Sequence, residues 1–204
     1  TVTQLAALLR PEILAMMAIT ITGFGASFAA FTFITPILTD ISGFSSQTAS
    51  LLLIIFGIAT LIGNQLGGKL TVTQGWTPAL RRMLLLLAVT LMLLAVALPW
   101  RLPMMVLLFL WGVLAFGMSP AFQAGMLSTA ERWTPKAVDF ASALNIAAFN
   151  LGITLGETLG SAIVAKGLMA MTPLAGVLLA TIAQLPLYWL STRLTRDVRR
   201  AHQA

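Results

Sequence analysis

The chain has 204 residues, of which 58% are hydrophobic and 9% are charged, and its net charge is +6. A soluble globular domain carries about 25% charged residues, so this composition excludes a soluble domain and indicates an integral membrane protein. The basic residues lie between apolar runs, which indicates membrane topology rather than nucleic-acid binding. There is no cysteine, and the one histidine, His202, lies near the end of the chain, so we expect no metal, no cofactor and no thiol or Ser–His chemistry.

Apolar runs long enough to cross a bilayer predict six membrane spans. Their approximate bounds are 13–38, 48–70, 82–98, 104–126, 140–165 and 173–191. We therefore expect an all-α membrane protein in which six helices form one bundle over residues 1–204, ending in a basic tail at 194–204. Nothing at the start resembles a signal peptide, and because the chain begins at Thr1 we expect it to be a piece of a longer polypeptide.

Lysine and arginine are distributed unequally between the two ends of the predicted spans. Two of them, Arg101 and Lys166, lie at one end. The other ten lie at the end that carries both termini: Arg10, Lys69, Arg81, Arg82, Arg132, Lys136, Arg193, Arg196, Arg199 and Arg200. The positive-inside rule then predicts that both termini are cytoplasmic, which an even number of spans requires.

The first predicted span combines small residues with an aromatic stripe. Phe24, Phe28 and Phe31 recur at i, i+4 and i+7, so they lie on one helix face. Such a stripe either packs against other helices or lines an apolar cavity for an organic ligand, and we consider the three rings as cavity candidates. Pro36 permits a kink towards the end of the span.

The second predicted span ends in "GNQLGGKL", residues 63–70. Its candidates for gating and helix packing are Gly63, Asn64, Gly67, Gly68 and Lys69. In the fourth span, Trp111 and Gln123 are cavity candidates, and Pro120 between them allows the helix to bend. Gln123 can equally form a hydrogen bond between helices.

The fifth predicted span has two distinct faces. Gly152, Gly156 and Gly160 recur every four residues and form a narrow face that a second helix can approach closely. A polar stripe lies about a quarter turn away and consists of Asn150, Thr154, Glu157 and Ser161. A carboxylate in hydrocarbon costs at least about 2.5–3.5 kcal/mol, so Glu157 needs protein or water around it. Structural, gating and proton-carrying roles for Glu157 all remain open.

A short match links the second span to the fifth. "GNQLGG" and "GETLGS" share Gly, Leu and Gly at three of six positions, and Asn64 corresponds to Glu157. The two spans run in opposite directions, which is the arrangement that an inverted repeat of three spans produces. The sequence therefore predicts two repeats, at approximately 11–100 and 101–193.

The motif "SALNIAAFNLGITLGETLGSAIV" resembles the eleventh span of a family, the major facilitator superfamily of transporters. The residues that fit the pattern N-x-x-A-F-N-L-G-x-x-x-G-x-x-x-G are Asn145, Ala148, Phe149, Asn150, Leu151, Gly152, Gly156 and Gly160. Nearly the whole chain is similar to spans seven to twelve of the drug:proton antiporter branch, which includes arabinose and sugar efflux permeases. Glu157 departs from this pattern, because family members usually carry a small or neutral residue there.

The resemblance implies half of a secondary transporter in the bacterial inner membrane, which exports sugars or drug-like compounds by alternating access and is driven by protons. It implies a substrate cavity lined by Phe24, Phe28, Phe31, Trp111, Gln123, Asn145 and Asn150. We expect the glycine-rich ends of the second and fifth spans to pack against an absent N-terminal six-helix half. Glu157 would then be an outer-gate residue, with proton carriage as the second possibility.

Two other classes of membrane protein are relevant to this sequence. A membrane enzyme is disfavoured, because no histidine lies at membrane depth, and Asp40 and Asp139 lie at span ends. A six-span carrier or channel that is complete in itself, or that acts by self-association, stays open as the alternative.

Overall fold

The computed structural model describes residues 2–204, and that part of the chain contains helices and no strand. Six helical segments within it are long and apolar enough to cross a membrane, which confirms the predicted all-α, six-span fold. We number them in chain order as the first to sixth spans: Pro11–Phe31, Ser46–Gln74, Trp76–Ala97, Arg101–Trp133, Pro135–Ala165 and Met169–Gln203. The end of the bundle where the first span begins and the sixth ends is called the basic end below.

Four of the spans are composite. The first consists of α-helices Pro11–Gly25 and Phe28–Phe31, followed by a short helix Ile34–Pro36 and a π-helix Ile37–Ile41. The fourth consists of Arg101–Gly117 and Ser119–Trp133. The 3₁₀ segments Pro135–Phe140 and Met169–Met171 precede the long helices Ala141–Ala165 and Thr172–Gln203. A separate short helix, Val2–Leu8, precedes the first span.

The prolines explain two of the interruptions. The helix of the first span is interrupted at Phe33, just after the end of the span and three residues before Pro36. The fourth span is interrupted at Met118, two residues before Pro120. Proline lacks the N–H that would bond the carbonyl four residues earlier, and its ring clashes with that carbonyl. Both interruptions therefore lie where the prolines permit a bend, which stays a prediction.

The helices at the basic end are longer than predicted. The loop expected at 71–80 is reduced to the single residue Gly75, which has φ +88° between the second and third spans. Residues 194–204, expected as a tail, continue the sixth helix as far as Gln203. Apolar runs mark only the part of a helix that lies in hydrocarbon, whereas long basic side chains let the helix continue into the interface. The predicted boundaries were therefore too short.

The first three spans and the last three spans make equivalent contacts with each other. The second span packs on the fourth, and the fifth packs on the first. The third and sixth spans pack on each other, and each also packs on the leading span of the opposite set. This arrangement supports the inverted repeat, which stays a prediction.

The glycine faces lie inside this bundle, so our expectation that they face another half was wrong. A Cβ at Gly63 or Gly67 would collide with the backbone of Val113 or Gly117 in the fourth span. A Cβ at Gly156 would lie 2.5 Å from the carbonyl oxygen of Gly25 in the first span. Gly152 and Gly160 meet the backbone of the same span. The spacing identified a close-packing face correctly, but spacing alone cannot specify which helix approaches it.

Candidate functional site

The polar stripe of the fifth span lies on the surface of the bundle. Asn150, Thr154, Glu157 and Ser161 are all exposed. The Thr154 hydroxyl donates a 3.0 Å hydrogen bond to the carbonyl of Asn150 on its own helix. Glu157 has no hydrogen bond or ion pair within residues 2–204. The stripe therefore presents an amide, hydroxyls and a carboxylate to whatever adjoins this face.

The second and fifth spans are the least covered of the six. In each, 28% of the most apolar 18-residue stretch is buried, compared with 61% in the first span. Asn64, Gln65 and Lys69 of the second span are exposed. Beside these polar residues the second span exposes apolar ones such as Ile54, Ile58 and Leu61. Beyond Arg82, the exposed positions of the third span are all large and apolar: Leu85, Leu86, Val89, Met92, Leu93 and Val96. An apolar face suits lipid, whereas a face carrying amides and a carboxylate suits protein or water.

The aromatic stripe of the first span belongs to a cluster that joins four spans. Phe24 lies 4.7 Å from Phe149 of the fifth span, measured between ring centroids. Phe31 stacks on Phe56 of the second span at 4.8 Å, and Phe56 lies 5.4 Å from Trp111 of the fourth. Phe28, at 5.1 Å from Phe24, connects the two parts. The structure therefore brings four of the predicted cavity residues together.

Exposure differs strongly within this cluster. Trp111 is fully buried, and its indole N–H has no hydrogen-bond partner among the described residues. Phe28 and Phe31 are half-buried, and the Phe31 ring lies 6.0 Å from that of Trp111. Phe56 could not be recognised from the sequence, because a single aromatic residue in an apolar helix has no periodicity. The half-buried rings, rather than Trp111, are the ones that a ligand could touch without a rearrangement.

Asn145 and Gln123 lie together at a small cavity of about 30 Å³, which Leu127, Ala141 and Ser142 complete. Asn145 is 4% exposed, and its Oδ1 has no donor among the described residues. The cavity has room for about one water molecule. Asn150, five residues along the same helix, is exposed instead. The predicted cavity residues thus divide into an aromatic cluster, this amide pair and the polar stripe.

An acidic residue at the basic end was missed in the sequence. The side chain of Glu12 is fully buried and forms ion pairs with two arginines: it accepts a hydrogen bond from Arg193 at 2.8 Å, and Arg10 lies 2.9 Å away. The pairs connect the start of the first span to the sixth span. Glu12 lies at the edge of an apolar run, where a charge is unremarkable, and Arg193 is 181 residues away along the chain. No pattern within a single helix could have revealed this pairing.

The sequence of this chain is similar to those of known membrane transport proteins. A family model described as Major Facilitator Superfamily matches residues 15–203. The uncharacterized MFS-type transporter YtbD of Bacillus subtilis is 39% identical over 160 residues, which cover 78% of this chain and 40% of that protein. The inner membrane transport protein YdhP of Escherichia coli is 32% identical over 191 residues, which cover 93% of this chain and 48% of that protein. The chain spans about half the length of the curated relatives it matches.

Proposed function

Because this chain belongs to the major facilitator superfamily, we propose that it forms one six-helix half of a secondary transporter in the bacterial inner membrane. The other half is a second six-helix bundle, and the two halves expose a site between them to each side of the membrane in turn. The name of the Escherichia coli relative supports the location. The concentration of basic residues at one end supports a cytoplasmic position for both termini.

The observation that carries this proposal is the polar, uncovered face of the fifth span. Facing lipid, the Glu157 carboxylate and the Asn150 amide would each lose their hydration without compensation. Facing a second bundle across a hydrated cavity, they keep water or gain protein partners. The third span, whose exposed side is apolar, is the one that suits lipid.

The same uncovered side suggests the class of substrate. Phe28 and Phe31 offer half-buried rings, and the polar stripe offers a few hydrogen-bonding groups. Apolar walls with a few fixed polar groups suit small organic molecules that have both characters. Sugars and drug-like compounds fit this description, and resemblance to the efflux branch supports export coupled to protons.

A flux assay tests the proposal directly. The complete polypeptide that contains these residues and residues 1–204 alone are reconstituted separately into proteoliposomes, and uptake of labelled candidate substrates is followed with and without a pH gradient. We expect flux from the complete polypeptide and only background leak from residues 1–204. Flux from residues 1–204 alone would contradict the proposal and favour a self-associating six-span carrier.

We place Glu157 at the outer gate. It lies eight residues before Ala165, which ends the helix away from the basic end. Eight residues correspond to about 12 Å along the axis. At that depth a carboxylate can accept hydrogen bonds from the second bundle when the outer side is closed.

The gate assignment predicts different results for two substitutions. Glu157→Gln keeps hydrogen-bonding atoms, so transport and its pH dependence are expected to stay within about twofold of the wild type. Glu157→Leu removes a hydrogen bond to a charged group, which contributes about 1.5–3 kcal/mol, and is expected to slow transport about tenfold or more. Proteoliposome flux at several pH gradients measures both. If Glu157→Gln abolished gradient-driven flux but spared substrate exchange, Glu157 would be a proton carrier instead.

A further inference from the structure

A cavity at the basic end is lined mainly by arginine. Its volume is about 160 Å³. It lies between the start of the first span, the end of the fourth span and the end of the sixth span. We call it the arginine pocket; its lining consists of Arg10, Trp133, Arg193, Arg196, Asp197 and Arg200. Nothing in the proposed transport path uses it, since the path lies on the uncovered side of the second and fifth spans.

The charges around the arginine pocket do not balance. Glu12 forms ion pairs with both Arg10 and Arg193. Asp197 pairs with Arg132 at 3.3 Å. Arg196 and Arg200 have no ion pair within residues 2–204. The lining therefore has four arginines and one carboxylate, and counting their partners Arg132 and Glu12 still leaves an excess of three positive charges that an anion would compensate.

The geometry favours a compact anion with several acceptor oxygens. Arg193, Arg196 and Arg200 are spaced at i, i+3 and i+7, so their side chains project from one side of the sixth helix. Each guanidinium presents a planar fork of donors, which matches the oxygens of a phosphate group. A volume of 160 Å³ equals that of about five water molecules, and a phosphate group has five heavy atoms.

The location favours a ligand at the membrane surface. Trp133 forms one wall of the pocket, and the guanidinium of Arg193 lies 5.3 Å from the ring centroid of Trp189. Tryptophan is enriched where the hydrocarbon meets the headgroups. Basic pockets between membrane helices on the cytoplasmic side bind anionic headgroups.

We propose that the arginine pocket is a binding site for a phosphate group, held chiefly by Arg196 and Arg200 together with Arg193. The phosphate is supplied either by the headgroup of an anionic lipid or by a free phosphate-bearing molecule. When occupied, the site ties the sixth helix to the start of the first span from outside, beside the internal contact that Glu12 makes.

Native mass spectrometry of the complete polypeptide in detergent tests this site. Phosphatidylglycerol is titrated against the wild type, Arg196→Gln/Arg200→Gln and the matched control Arg199→Gln. Arg199 lies on the same helix but lines a different cavity, with Arg132, Leu194 and Val198. Because Arg196 and Arg200 are exposed, each direct contact with the phosphate is expected to contribute about 1 kcal/mol, the upper end for an exposed ion pair, or roughly a fivefold change in affinity. We expect roughly 25-fold weaker binding in the double variant and less than twofold in the control.

Other outcomes have defined meanings. Equal weakening in both variants would show delocalised attraction to a basic helix and would overturn the pocket. Binding of phosphatidylcholine by the wild type as tight as that of phosphatidylglycerol would also overturn it. An absence of saturable binding of both phosphatidylglycerol and inorganic phosphate would overturn it as well. Displacement of the lipid by millimolar inorganic phosphate would identify a free phosphate-bearing ligand, and resistance to displacement would identify the lipid headgroup. Unchanged melting temperatures without added lipid serve as the folding control, and flux is a separate measurement, so the proposed transport function can fail without affecting this result.

Discussion

Gly67→Ala is expected to destabilise the bundle by about 3 kcal/mol, the upper part of the range for an overpacked site. The new methyl group would overlap the carbonyl of Gly117, which is backbone and cannot move unless the whole fourth span shifts. The second and fourth spans would then separate along their shared contact. A titration with denaturing detergent, followed by circular dichroism or tryptophan fluorescence, measures the change in unfolding free energy.

Gly68 offers the matched control. A Cβ there would lie 3.9 Å from the side chain of Pro120, which is an ordinary van der Waals contact. Alanine is also the better helix former by about 1 kcal/mol, so Gly68→Ala is expected to leave stability unchanged or slightly raised. Equal destabilisation by both substitutions would indicate a general intolerance of this segment and would contradict the close approach at Gly67.

Removing both arginine partners of Glu12 is expected to have the second-largest effect. Arg10→Gln/Arg193→Gln leaves a fully buried carboxylate without a compensating charge. Removing one partner of a buried pair costs about 3–5 kcal/mol. The two arginine side chains are 45% and 41% exposed, so solvent screens part of the interaction and we expect about 2 kcal/mol, measured by the same detergent titration.

The control variant also removes the charge of the Glu12 carboxylate. Adding Glu12→Gln to the double variant eliminates the uncompensated carboxylate and is expected to restore most of the lost stability. If the triple variant were as unstable as the double variant, the loss would come from arginine packing rather than from the ion pairs. Together with Glu12→Gln alone and the wild type, these variants complete a thermodynamic cycle, which isolates the coupling between the carboxylate and the two arginines.

The number of spans could be predicted because bilayer thickness fixes the length of an apolar run. The ends of the helices could not, since the third span begins at Trp76, whereas the predicted run begins only at residue 82. The positions where prolines permit a bend were predictable because a missing N–H acts locally, through the residues directly before Pro36 and Pro120. Local chemistry therefore determined which parts of the fold could be predicted.

Contacts between distant parts of the chain were the parts that could not be predicted. Glycine spacing located a close-packing face at Gly156 but did not indicate that Gly25 lies against it. The aromatic stripe was visible within the first span, whereas Phe56 became part of the cluster only when the second span folded against it. The division of the fifth span into a glycine face and a polar face was visible in the sequence, because both faces lie on one helix.

The single-residue connection at Gly75 couples the bilayer to the proposed interface between the halves. Gly75 has φ +88° and ψ 156°, a backbone region that is open essentially only to glycine. Because one residue joins them, the adjoining ends of the second and third spans stay close together. A change in membrane thickness that tilts one helix must therefore be taken up at Gly75 or passed to the other helix. Sensitivity of transport to lipid chain length would then arise at this residue.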